Sequence, residues 1–112
     1  MAINLASYID HTMLKPGATA SDIDKLCVEA SMAGFAAVCV PQRFVPGARK
    51  LLDNSRVKVA TVIAFPYGYE EIEEKVAQIR EAIAMGADEL DMVIDLRALK
   101  TGNWLQLRKE IE

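Results

Sequence analysis

Apolar positions change their period repeatedly along this chain. Ile23, Leu26, Cys27 and Ala30 fall at i, i+3, i+4 and i+7, one face of a helix. Residues 36–40 are continuously apolar and stop at Pro41, the pattern of a buried strand. Residues 57–65 form the strongest strand, β-branched and apolar on both faces, as strands covered by helices are. Ile72, Val76, Ile79 and Ile83 then return to helical spacing, with Glu71 placed to pair with Lys75. A further short strand is expected over residues 89–95, and Trp104, Leu107 and Ile111 mark a last amphipathic helix. Near the start, a brief helix is expected within residues 2–8 and a strand over 8–14, broken by Lys15-Pro16-Gly17.

Punctuation agrees with this reading. Thr19 with Asp22 three residues on is a helix start, and Asn103 is a candidate N-cap. Pro46 suits a first helical turn. Gly34 and Gly86 each close a helix ahead of a strand, two units apart. The order is βαβαβαβα, which implies right-handed crossovers and a parallel sheet of α/β class. Four such strands leave both edges open while both faces are written for burial. An eight-stranded barrel takes about 250 residues, and this chain has 112. The expectation is one domain over residues 1–112, a (βα)4 half of a TIM (β/α)8 barrel, completed by oligomerisation.

Composition narrows the partners. With 52% hydrophobic residues, the chain is not intrinsically disordered. A net charge of -3 with scattered signs is no footprint for nucleic acid or an anionic membrane, and no apolar run reaches spanning length. Cys27 and Cys39 are too few for a disulfide framework and have no metal-ligand spacing. A reducing cytoplasm is the default.

Candidate chemistry gathers in the last strand. Strand alternation puts Glu89, Asp91, Val93 and Asp95 on one face and Leu90, Met92 and Ile94 on the other. A carboxylate inside such a strand needs polar surroundings or a partner. Asp91 is therefore either a helix-capping or ion-paired group or an acid/base at the mouth of a parallel sheet. In the first strand Asp10, Thr12 and Leu14 share a face, and Ile9, His11 and Met13 share the other. His11, with no second histidine, reads as a hydrogen-bonded structural residue. Cys39 reads as a small buried hydrophobe, and Trp104 as core. Lys25, Lys50, Lys75, Lys100 and Lys109 read as solvated. Lys58 begins its strand, the wrong end for barrel chemistry, whereas Lys15 is a loop lysine at the right end.

Four ordered motifs carry a resemblance over essentially the whole chain. They are Tyr8-Ile9-Asp10-His11-Thr12 with Leu14-Lys15-Pro16; Val38-Cys39-Val40-Pro41; Thr61-Val62-Ile63-Ala64-Phe65-Pro66-Tyr67-Gly68; and Gly86-Ala87-Asp88-Glu89-Leu90-Asp91-Met92-Val93-Ile94. Together they resemble the deoxyribose-phosphate aldolase family. The resemblance implies a (β/α)8 barrel that cleaves 2-deoxy-D-ribose 5-phosphate to glyceraldehyde 3-phosphate and acetaldehyde through a Schiff base on lysine, with no cofactor. It places Asp91 at the family's proton-relaying aspartate. Asp10 and Thr12 match first-strand residues near the pocket, and Cys39 a second-strand cysteine at the substrate end. The family's Schiff-base lysine, the second lysine that lowers its pKa and most of the phosphate site lie on later strands, outside these residues. The expectation is thus the N-terminal half of a phosphosugar aldolase, inactive alone. A homodimer or higher homo-oligomer would form through the open strand edges. The competing reading is a self-assembling half-barrel with a structural or binding role.

Overall fold

The computed structural model describes residues 3–112. Four strands, β1 (Asp10–Thr12), β2 (Ala37–Val40), β3 (Lys58–Ile63) and β4 (Glu89–Met92), form one parallel sheet in the order β1-β2-β3-β4. Between them run α1 (Ala20–Ala33), α2 (Val45–Leu51) and α3 (Ile72–Met85). Then come α4 (Leu96–Thr101) and α5 (Trp104–Ile111). This is the half-barrel that the pattern implied. β1 and β4 are its two edge strands.

The helix starts and stops follow the residues expected to set them. Thr19 accepts from the Asp22 amide while the Asp22 carboxylate accepts from the Thr19 amide, a reciprocal capping box. Those Thr19 hydrogen bonds, backbone first, hold the Asp22 carboxyl below its ordinary range. Gly34 and Gly86 end α1 and α3 at φ 74° and 107°, where a side chain would be strained. Asn103 caps α5 through the Gln106 amide.

One face of the sheet is packed under helices. Val38, Val40 and Val59 meet Ile23, Leu26, Cys27 and Ala30 of α1 and Val45, Ala48 and Leu52 at α2, all buried. Each such valine or leucine contributes about 1.5–3 kcal/mol by leaving water. Thr61 is buried among them because its hydroxyl donates to the Val40 carbonyl at 2.8 Å.

Five expectations are corrected. β1 is shorter than residues 8–14, although Met13 still donates to the Cys39 carbonyl beyond its end. β4 stops at Met92, because Asp95 turns the chain as N-cap of α4, a helix the apolar pattern does not announce. Helix α3 buries Lys75 and Ala82 and leaves Val76 and Ile83 exposed. Lys75, expected in solvent beside Glu71, is only 2% exposed and pairs with Glu110 of α5. Trp104, expected in the core, is 66% exposed; Leu107 is the residue that α5 buries.

Candidate functional site

The opposite face of the sheet carries no helix, and the register defines it rung by rung. Asp10, Ala37 and Lys58 are partners on one rung, and Thr12, Cys39, Ala60 and Glu89 on the next. Val62 and Asp91 are partners one rung closer to the C-terminal strand ends. Parallel partners point the same way, so these residues form one surface. Ala37, Cys39 and Ala60 make its apolar centre, with Leu14 and Val62 packed against them. Asp10, Thr12, Glu89 and Asp91 are exposed around it.

Asp91 and Cys39 are brought together: the Cys39 Sγ lies 3.9 Å from Asp91 Oδ2. Cys39 is 4% exposed. Burial, then the Asp91 and Asp10 carboxylates, push it up to about 11. At neutral pH Cys39 is therefore a neutral thiol and a poor nucleophile. The Thr12 hydroxyl donates to its own strand, to the Asp10 carbonyl at 3.1 Å. Asp10 and Thr12 share the face with Asp91 but lie on the far side of it, and neither is hydrogen-bonded to Asp91 or Cys39. His11 points to the helix side, tilted against Phe35, with Glu29 3.8 Å from its Nε2.

The strand exit beyond Asp91 is held firmly. Lys75 Nζ donates to the Val93 carbonyl at 3.0 Å and to Glu110 Oε1 at 2.6 Å; Glu110 Oε2 accepts from the Asp95 amide at 3.0 Å. A Cβ on Gly68 would lie 2.0 Å from the Ile94 carbonyl oxygen, so the β3–α3 loop sits directly on this exit. Arg97 stacks on Tyr69 and donates to its carbonyl and to Asp95. That Arg97 hydrogen bond is the main reason the Asp95 carboxyl is held below its ordinary range. The sequence signal for Glu110 was its place three residues after Leu107, on the inward face of α5.

Two clefts flank this surface. The larger, about 650 Å³, opens at the N-terminal strand ends beside Arg56 and Lys58; none of Asp10, Thr12, Cys39 and Asp91 lines it. A second, about 430 Å³, opens at the C-terminal ends beside Lys15 and Arg43. Parallel α/β sheets bind ligands at the C-terminal ends, so the smaller cleft and Asp91 mark the functional end. No group of three or more metal-ligating side chains occurs among the described residues. No helix of the described residues is long and apolar enough to cross a membrane.

Comparison with known proteins gives this geometry its relatives. The family model for DeoC/LacD family aldolases matches residues 4–112. A deoxyribose-phosphate aldolase of Thermoanaerobacter sp. (strain X514) is 50% identical over 110 residues, covering 98% of this chain and 49% of that protein. One from Thermococcus gammatolerans is 49% identical over 114 residues, covering 100% of this chain and 51% of that protein. Among solved structures, an aldolase called QR15 superposes with a TM-score of 0.90 at 34% identity, over 97% of this chain and 48% of that one. The tetrameric deoxyribose phosphate aldolase from Aeropyrum pernix gives 0.78 at 36% identity, over 83% and 40%. The chain thus spans about half the length of the relatives it matches. With four parallel βα units and a family match across nearly all of its residues, the chain belongs to the DeoC/LacD aldolase family.

Proposed function

We propose that this chain is the N-terminal half of a class I deoxyribose-phosphate aldolase, one domain that supplies the proton-relaying carboxylate and half of the substrate wall. The observation that carries the reading is Asp91: an exposed carboxylate on the helix-free face of β4, beside a neutral thiol, in a chain of this family. In the assembled enzyme a lysine amine would add to the substrate carbonyl and lose water to give an imine. Asp91 would take up and return the protons of those steps, through a water, as a positioned carboxylate can. Asp10, Thr12 and Cys39 would shape the substrate side of the same face. The substrate would be 2-deoxy-D-ribose 5-phosphate, and the free thiols Cys27 and Cys39 are in keeping with a cytoplasmic setting.

These residues alone lack a suitable amine. An imine-forming lysine must be partly neutral and must face the reacting carbonyl. Lys75 is buried, but its ammonium is paired with Glu110 on the helix-covered side. Lys58 stands at the N-terminal strand ends, and Lys15 is exposed on a loop. Treatment with acetaldehyde and borohydride, read by mass spectrometry, is expected to leave the 112-residue chain unmodified. Fused to the second half of the Thermoanaerobacter relative, the same chain should give one lysine adduct and cleave 2-deoxyribose 5-phosphate. A stoichiometric adduct on the chain alone, or a folded but inactive fusion, would overturn the reading.

A second reading is favoured by the two open edges. Apolar side chains are bare on both flanks, with Met32 84% exposed on the β1 side and Ile111 72% exposed in α5. Two copies pairing β4 of one with β1 of the other would close eight strands with two-fold symmetry. Asp10, Glu89 and Asp91 would then face their duplicates in one lumen, with only the Lys58 pair in opposition, so closure should weaken as the carboxylates ionise. Sedimentation showing a compact monomer at high concentration and mildly acidic pH would rule this assembly out.

A further inference from the structure

Stability alone does not account for the buried pair Lys75–Glu110. Taking two charges out of water is expensive, and well-packed apolar side chains in their place are often as stable or more so. The Lys75 side chain is 2% exposed and that of Glu110 0%. What the pair adds is direction. Lys75 Nζ donates to the Val93 carbonyl at 3.0 Å, and Glu110 Oε2 accepts from the Asp95 amide at 3.0 Å. Closed on itself at 2.6 Å, the pair grips the backbone at two points of one short segment.

That segment is the exit of β4, and its other polar groups are engaged too. The Val93 amide donates to the Ile63 carbonyl at 2.9 Å. The Asp95 carboxylate accepts from the Arg97 and Ala98 amides. Lys75 comes from α3 and Glu110 from α5, so two helices converge on one strand end. Asp91 lies two residues before Val93 and has no such support of its own. Its carboxylate is exposed on the helix-free face, and its hydrogen-bond partner among the described residues is the Cys39 thiol, a weak donor, at 3.9 Å. An aspartate has a single methylene, so its carboxylate goes where its backbone goes. Groups that carry chemistry need such backing from residues that do not touch the reactants.

We propose that Lys75 and Glu110 are positioning residues: from the far side of the sheet they fix the β4 exit and so hold Asp91 in place against Cys39. The consequence for turnover rests on the aldolase reading of Asp91. The consequence for the Asp91–Cys39 contact does not.

Two neutral double variants separate holding from folding. Lys75→Met with Glu110→Leu strands no charge and gives up both backbone contacts. Lys75→Met with Glu110→Gln strands no charge either, but keeps an acceptor for the Asp95 amide. Both should unfold in urea near the parent midpoint. In the chain fused to the second half of the Thermoanaerobacter relative, the first should lower kcat about tenfold or more with KM within about twofold, because small misplacements of a reacting group act on kcat. The second should regain part of that loss. Arg108→Gln removes an exposed pair on the same helix and should leave midpoint and kcat at the parent values.

The 112-residue chain gives a readout that needs no turnover. Burial first, then Asp91 and Asp10, disfavour the Cys39 thiolate. Asp91→Asn should therefore lower the pH midpoint of Cys39 alkylation by iodoacetamide, followed at that residue by mass spectrometry. Lys75→Met with Glu110→Leu should lower it as well, and Arg108→Gln should not. An active parent fusion whose first double variant keeps the parent kcat would overturn the proposal. So would a Cys39 midpoint that stays at the parent value in that variant. An inactive parent fusion would sink the aldolase reading, and the Cys39 midpoint would then decide the positioning role by itself.

Discussion

The helix-covered face and the bare face of this sheet use the same four strands for different ends. On the covered face Val38, Val40 and Val59 alternate into an apolar layer closed by α1 and α2. The charged groups buried on that side, Lys75 and Glu110, are fully matched to each other and to the Val93 carbonyl and Asp95 amide. On the bare face the apolar centre is thin, only Ala37, Cys39 and Ala60 with their neighbours, and carboxylates stand around it exposed. Cohesion resides on one side and the candidate site on the other. Perturbing the two sides should therefore give very different stability changes.

The largest change belongs to the covered face. Glu110→Ala would strand the Lys75 ammonium in a site 2% exposed, and breaking a buried pair on one side costs about 3–5 kcal/mol. Urea denaturation should show that loss. Replacing both partners with apolar residues, Lys75→Met with Glu110→Leu, should recover most of it, because the penalty is the unmatched charge. If the single and double variants are equally unstable, packing rather than charge holds α5, and the contrast between the faces narrows.

The bare face should respond to pH more than to truncation. The folded chain holds the Cys39 proton up to about pH 11, more tightly than the unfolded chain does. The resulting stabilisation is complete below about pH 9 and fades as pH rises towards 11, by about 2 kcal/mol. Urea midpoints between about pH 8 and 10.5 should fall in the parent chain and fall less in Cys39→Ala. A parent chain with a flat alkaline limb would show that the bare face is more open than the burial of Cys39 indicates.

Asp91→Asn should give the smallest effect, within about 0.5 kcal/mol of the parent, as for surface positions without a structural role. Among the described residues its one close polar contact is the weak thiol donor at 3.9 Å. A loss well above that value would make Asp91 a structural carboxylate and weaken its proposed chemical role.

Period and punctuation made most of the fold readable. Strands β2 and β3 are continuous apolar runs, and Thr19, Gly34, Gly86 and Asn103 each sit where the backbone needs them. What stayed hidden depended on distant partners. Lys75 looks like any solvated helix lysine until Glu110 arrives from α5, 35 positions later. Asp95 looks like another strand carboxylate until the amides of Arg97 and Ala98 turn it into a cap. Val76 and Ile83 complete a helical stripe in sequence, yet the sheet lies under Lys75, Ile79 and Ala82 instead. In the candidate site, alternation alone set Asp91 on the face of Glu89, as observed, and the motifs singled out Cys39. Only the register brought the two within reach across β3. Arg43 carried no sequence signal; its position depends on Pro16 and Phe44.

The Lys75–Glu110 pair also defines where a barrel of this kind can be divided. A module boundary placed after β4, or anywhere ahead of Glu110, would sever an ammonium from its counter-ion and release the turn that the same carboxylate holds through the Asp95 amide. The transferable piece is therefore four βα units together with the returning helix. Recombining barrels at the strand boundary would separate a donor from its acceptor even where every strand register is preserved.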